Sequence, residues 1–171
     1  MKKIILLALL TAPFLGFSQD SLKIGIVNGD VVIQNSIKGK RFFEKFKAFN
    51  ESKSNEIKAK IDLFQQKEKD FQAKVQSLSD DKRTEVRRDL QNLQTEIKRM
   101  QEDAKRESDT MFNEGLAVFQ KELAPLIEQL AKAESFDIVI NDGPGSNFLF
   151  YSAKVNITGK VIELYDATVK D

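Results

Sequence analysis

The sequence has no cysteine, histidine or tryptophan. Without His and Cys it cannot assemble a Ser-His-Asp or Cys-His nucleophilic centre, a thiol redox site or the usual zinc ligand sets. The lack of Cys also rules out lipoprotein anchoring and disulfide staples. Glycine and proline are scarce, 8 and 3 in 171 residues, and a long charged stretch in the middle is almost free of both, which favours helix there. Neither sign of charge dominates: 27 basic residues face 26 acidic ones, so the chain as a whole has no pull toward nucleic acid.

One apolar run stands at the start. MKKIILLALLTAPFLGFSQ, residues 1–19, places Lys2 and Lys3 before an apolar stretch and the small residues Gly16 and Ser18 after it. This is the pattern of a secretory signal peptide. Thr11 and Pro13 break the run, which argues against a membrane-spanning anchor. Loss of Lys2 and Lys3 with the leader would leave a near-neutral mature chain. Its charge is nevertheless uneven: residues 36–106 carry 19 basic and 13 acidic side chains, and residues 107–171 carry 5 and 11.

KIGIVN, residues 23–28, alternates as a short strand does. From about Lys40 to Leu78 the apolar positions step by three or four, through Phe46, Phe49, Ile57, Ile61, Phe64, Phe71 and Val75, the spacing of a helix. Ser79, Asp80, Asp81, Lys82 and Arg83 then form a polar turn with N-cap chemistry. A second seam runs through Val86, Leu90, Leu93, Ile97, Met100, Ala104 and Met111, and beyond Gly115 shifts by one position to Phe112, Leu116, Phe119, Leu123, Leu126 and Leu130. Pro125 is expected to kink or restart this helix near Lys121. Two helices of similar length around a short turn predict an antiparallel hairpin about 57 Å long, one face buried and the outer faces wet, projecting as an arm.

FDIVINDGPGSNFLFYSA, residues 136–153, reads as two strands around a hairpin turn, to be paired with residues 23–28. Residues 157–168 read as a short closing helix, with Thr158 offering an N-cap. Three strands and one helix make a very small core, and association with further copies would complete it.

Candidate chemistry is sparse. Asp80 and Asp81 could form a carboxylate pair, but on a helix turn capping is the simpler reading. NDGPG lacks the Lys-Ser/Thr ending of a phosphate-binding loop, and KIGIVNG lacks the spaced glycines of a dinucleotide fingerprint. The expectation is therefore a protein that is not an enzyme and holds neither cofactor nor metal. Most phenylalanines suit a core; Phe43, off the seam of Phe46 and Phe49, and its neighbour Phe42 could face an enclosed space at the root of the arm.

The order of a leader, a KIGIVN strand, SIKGKR opening a long charged helix, a return helix with LAPLIEQLAKA, and FDIVIND before a final strand and helix resembles the Skp (OmpH-like) family of periplasmic chaperones. The likeness covers the whole mature chain. It implies an α+β fold in which a long helical hairpin (36–133, tip near 79–83) projects from a small β body (20–35 and 134–171) completed by homotrimerisation. It also implies a periplasmic, ATP-independent holdase that keeps unfolded outer-membrane β-barrel proteins from aggregating in a cavity between the arms. By resemblance Ile24, Ile26, Ile138, Ile140, Phe148 and Phe150 belong to the shared body, with strands at 23–28, 136–141 and 148–153. Phe42, Phe43, Lys38, Lys40, Lys45 and Lys47 are expected to face the client. Transient contact with an outer- or inner-membrane surface stays open. Well-known members of the family are strongly basic whereas this chain is near neutral, and no lipopolysaccharide site is assigned to it. A reading from a different class is an envelope coiled-coil scaffold that binds one folded partner through its arms.

Overall fold

The computed structural model describes residues 21–169, so the expected leader lies outside the described residues. The fold is α+β. Strand β1 (Ile24–Val27) leads into helix α1 (Gly29–Asn35), the long helices α2 (Ile37–Lys74) and α3 (Asp80–Ala133), strand β2 (Ile138–Asn141), a single 3-10 turn (Ala153–Val155) and helix α4 (Thr158–Asp166).

β1 and β2 pair in parallel, with Ile24 opposite Ile138 and Ile26 opposite Ile140. Parallel neighbours need a crossover connection, and here the entire helical hairpin supplies it. On its other edge β1 is met by Asn156 through an isolated parallel bridge, and the Ile157 amide donates to the Ile26 carbonyl at 2.8 Å. β1 is thus covered on both edges.

The terminal β-hairpin expected at 136–153 does not form; residues 148–153 contain no strand. Gly145 turns the chain with φ +94°, and the Asp142 carboxylate accepts from the Ser146 hydroxyl and from the Tyr151 hydroxyl, the latter at 2.6 Å. These side-chain bonds hold a loop where a ladder would need backbone partners. Leu149 and Phe150 project from it with relative exposures of 103% and 86%.

α1 is a further departure from the sequence pattern. Asn28 caps it by accepting from the Val31 amide at 2.9 Å, and Val32 and Ile33 enter the core. The fully buried Ser36 ends α1 and starts α2, its hydroxyl accepting from the Gly39 amide at 3.2 Å. Gly39 is required here: a Cβ at that position would lie 1.5 Å from the Ile33 carbonyl oxygen.

α3 runs through Pro125 unbroken rather than restarting near Lys121. The prolyl ring is on the exposed side, while Phe119, Leu123 and Leu130 are buried along the other. Packing on both sides of the proline offsets the one missing amide bond. α3 therefore reaches 54 residues against 38 for α2, and its last turns form part of the body's core. That core gathers Val27, Val32, Ile33, Phe119, Leu123, Leu130, Ile157, Val161 and Tyr165. Thr158, expected as the cap of α4, is its first helical residue instead; its hydroxyl accepts from the Asn28 amide at 3.0 Å and so ties α4 to the end of β1.

Candidate functional site

No group of three or more His, Cys, Asp or Glu placed to hold a metal occurs among the described residues, and no described helix is long and apolar enough to cross a membrane. The surfaces left to consider are the root of the arm, its two faces, its tip and the uncovered side of the body.

At the root three helices share one polar contact. The Lys38 ammonium on α2 lies 2.9 Å from Glu122 Oε2 on α3 and 5.1 Å from the centre of the Tyr165 ring on α4. The Tyr165 hydroxyl donates to the same carboxylate oxygen. Asp166 Oδ1 accepts from the Ile37 amide at 2.7 Å, adding a second cap to the start of α2. Hydrogen bonds from Tyr165 and then Lys38 hold the Glu122 carboxyl below the usual value of 4.5. Burial, reinforced by Glu122, pushes the Tyr165 hydroxyl well above the usual 10.0.

Next to this contact Phe42 stands within 5.5 Å of Phe119, 6.1 Å of Phe46 and 6.5 Å of Phe112, ring centre to ring centre. The close approach needs Gly115, where a Cβ would lie 2.2 Å from a Phe42 ring carbon. Phe42 is thus on the seam between α2 and α3. Phe43 is half-buried against the core.

The four lysines expected beside these rings do not share one face. Lys38 is drawn into the root contact, while Lys40, Lys45 and Lys47 are exposed, and Lys47 approaches Glu51 on its own helix at 3.8 Å. Lys40 and Lys47 are one heptad apart, on the stripe that continues to Ser54, whereas Lys45 follows Lys38 on another.

Further out the seam admits charge. Lys53 pairs with Glu107 and Lys60 with Glu96, each at 2.7 Å, bridging α2 and α3 where apolar contacts would otherwise continue. Around these pairs the two faces of the arm differ. One carries three grooves in succession: a root groove of about 530 Å³ lined by Phe42, Phe49, Met111, Gly115 and Val118, a middle groove of about 270 Å³ with Leu63 and Leu93, and a tip groove of about 240 Å³ with Phe71, Leu78, Val86 and Leu90. Lys67 and Asp89 border both the middle and tip grooves, and Phe49 and Leu63 stand two heptads apart, so all three open on one side. The opposite face has a groove of about 620 Å³ in which Ile57, Ile61 and Ala104 lie among Asn50, Ser54, Lys58, Gln101, Lys105 and Ser108. Seam counting does not expose this sidedness. Its signal in the sequence is Leu63 and Val118, apolar residues off the seam of an otherwise charged helix pair.

The tip is built as its residues predict. Ser79 caps α3, accepting from the Lys82 amide, and Asp80 and Asp81 occupy the first turn. Arg83 reaches Asp80 at 3.2 Å and donates to the Leu78 carbonyl, while Lys82 pairs with Glu85.

In the body Ile26 is buried, but Ile138 is 45%, Phe148 41% and Phe150 86% exposed; Ile24 and Ile140 are half-buried. β2 has β1 on one side only, so its outer edge is open among the described residues.

A family model described as Outer membrane protein (OmpH-like) matches residues 23–165. Among solved structures, the crystal structure of a candidate outer membrane chaperone (OmpH-like) from Caulobacter crescentus CB15 shares the fold, with a TM-score of 0.79 at 17% identity over 86% of each chain. No curated protein matches the sequence.

Proposed function

The chain belongs to the OmpH-like outer membrane protein family, and from that membership we propose that it is an ATP-independent holdase of the periplasm, binding unfolded outer-membrane β-barrel proteins between the arms of a homotrimer. The observation that carries this reading is the arm itself. Two long helices bury little more than one seam, and grooves with apolar side chains remain open on both faces of the arm. A surface of that kind suits many weak contacts with a chain that has nowhere to bury its own apolar side chains. The absence of His and Cys and the capped, paired carboxylates at the tip fit binding better than chemistry.

Trimerisation is proposed for the side that a single chain leaves bare. Ile138 on β2 and Phe148, Leu149 and Phe150 in the loop that follows it are exposed, the outer edge of β2 is open, and exposed apolar side chains and strand edges of this sort normally pair or aggregate. Arms from several copies around one cavity would raise the local concentration of weak sites and keep clients apart from each other.

Dilution of a urea-unfolded outer-membrane barrel protein into the mature chain tests the reading. Suppressed light scattering without nucleotide is the expected result, together with a client-bound trimer in native mass spectrometry. Scattering equal to that of the client alone would refute the holdase assignment.

A further inference from the structure

We propose that Asn28–Gly29, where β1 passes into α1, is a site of spontaneous deamidation that the folded body holds silent through Asn141 on β2 and Thr158 on α4. Asparagine followed by glycine is prone to this chemistry, because Gly29 has no Cβ to crowd the approach of its amide nitrogen to the Asn28 side chain. The Gly29 amide gives its proton to solvent hydroxide, and its nitrogen attacks Asn28 Cγ. The side-chain nitrogen leaves as ammonia and a cyclic imide remains. Water then opens the ring at either carbonyl, giving aspartate or isoaspartate.

The groups this reaction must move are all engaged. The Gly29 amide donates to Asn141 Oδ1 at 3.1 Å, and Asn28 Oδ1 accepts from the Val31 amide at 2.9 Å. The Asn28 amide donates to Thr158 Oγ1 at 3.0 Å, and the Asn28 carbonyl accepts from the Val32 amide at 3.0 Å. The attacking nitrogen is thus held toward β2 and the side chain under attack toward Val31. Two of these partners are distant in sequence, Asn141 by 112 positions from Gly29 and Thr158 by 130 from Asn28, so the lock exists only once the body has closed. Asn28 and Gly29 are half-buried rather than buried, within reach of water. Hydrogen bonding, and not exclusion of solvent, therefore suppresses the reaction. The two products differ in consequence. Aspartate caps a helix as well as asparagine does. Isoaspartate adds a main-chain carbon between β1 and α1, which displaces the cap relative to a strand whose register is set by Ile24 opposite Ile138 and Ile26 opposite Ile140. A chain left open long enough to react loses the geometry it needs to close.

The test is peptide mapping by mass spectrometry after incubation in mildly alkaline buffer. It compares the full mature chain when folded, the same chain in urea, and a synthetic peptide of residues 23–34. Peptide and unfolded chain should convert at equal rates, and the folded chain about a hundredfold more slowly. Asn141→Ala should speed the folded chain about tenfold, whereas Asn141→Asp, which keeps an acceptor, should stay within about twofold of the parent. Gly29→Ala should slow the unfolded chain about tenfold, and in the folded chain its new Cβ lies at an ordinary contact distance of 3.4 Å from Asn141 Oδ1. Amide exchange at Val161, in the core, is followed in each variant to separate loss of the lock from loss of the fold. A folded parent as fast as the peptide would overturn the proposal, as would an Asn141→Ala chain no faster than the parent. So would an Asn141→Asp chain as fast as Asn141→Ala, or a rate that rises only in step with Val161 exchange, which would make Asn141 a general stabiliser. Each of these results is independent of whether the chain suppresses aggregation of barrel proteins.

Discussion

The Tyr165 hydroxyl donates to the carboxylate of Glu122, 43 positions earlier in the sequence and on a different helix. With Lys38 on the same oxygen, the contact fixes the C-terminal helix to both strokes of the arm where they leave the body.

Its pH dependence follows from the two shifts. The carboxyl of Glu122 is depressed by folding, so its contribution is complete above the usual 4.5 and fades as pH falls through the lower folded value. Tyr165 is raised, so the fold favours its protonated form and loses that contribution as pH climbs above the usual 10.0. Glu122→Gln should cost about 1 kcal/mol at neutral pH, a figure reduced for solvent screening because both charged partners are about a third exposed. Between pH 7 and pH 3 the urea midpoint of the variant should fall less than that of the parent chain, and parallel declines would exclude the assignment.

Gly39→Ala should be far more damaging than its size suggests. The new methyl would meet backbone, the Ile33 carbonyl, and neither α1 nor α2 can yield without leaving the Ser36 junction. A loss of about 3 kcal/mol, or about 6–12 °C in melting temperature, is expected. A change below about 1 °C would show that the junction is slack.

Replacing the Lys53 and Glu107 pair by two leucines should make the seam continuous and stiffen the arm. Amide exchange at residues 50–61 and 101–111 is expected to slow by about tenfold. Unchanged exchange would mean that the charged pair does not set local opening.

Leu149→Asp together with Phe150→Asp should abolish self-association while leaving the helical signal intact, because neither side chain is packed within one chain. Sedimentation velocity decides this. A variant that stays as large as the parent places the interface elsewhere.

What the sequence revealed depended on how local the cause was. The steps through Phe46, Phe49, Ile57 and Ile61 and through Val86, Leu90, Leu93 and Ile97 were enough to predict α2 and α3, since periodicity is a property of one segment. Ser79 announced the tip because a cap acts within three residues. GDVVIQN did not announce α1: its Val and Ile favour extended chain, and its burial against α4 overrides that preference. The alternation of FLFYSA suggested a strand, yet the bonds from Ser146 and Tyr151 to Asp142 hold these residues in a loop and leave the outer edge of β2 unpaired. The grooved face and the Lys38–Glu122–Tyr165 contact escaped because each depends on which positions of separate helices meet.

β1 has a consequence for the order of folding. Its partners come from beyond the arm, Asp137 lying 114 positions from Lys23 in the bonds that flank the β1–β2 pairing. Closing so long a loop from a disordered chain is slow and entropically costly. Contacts between near neighbours favour the helical hairpin, whose closure would bring both ends of the chain toward each other. The arm is therefore expected to template the body, and a lesion that frays the hairpin should delay burial of β1 even when every residue of the body is unchanged.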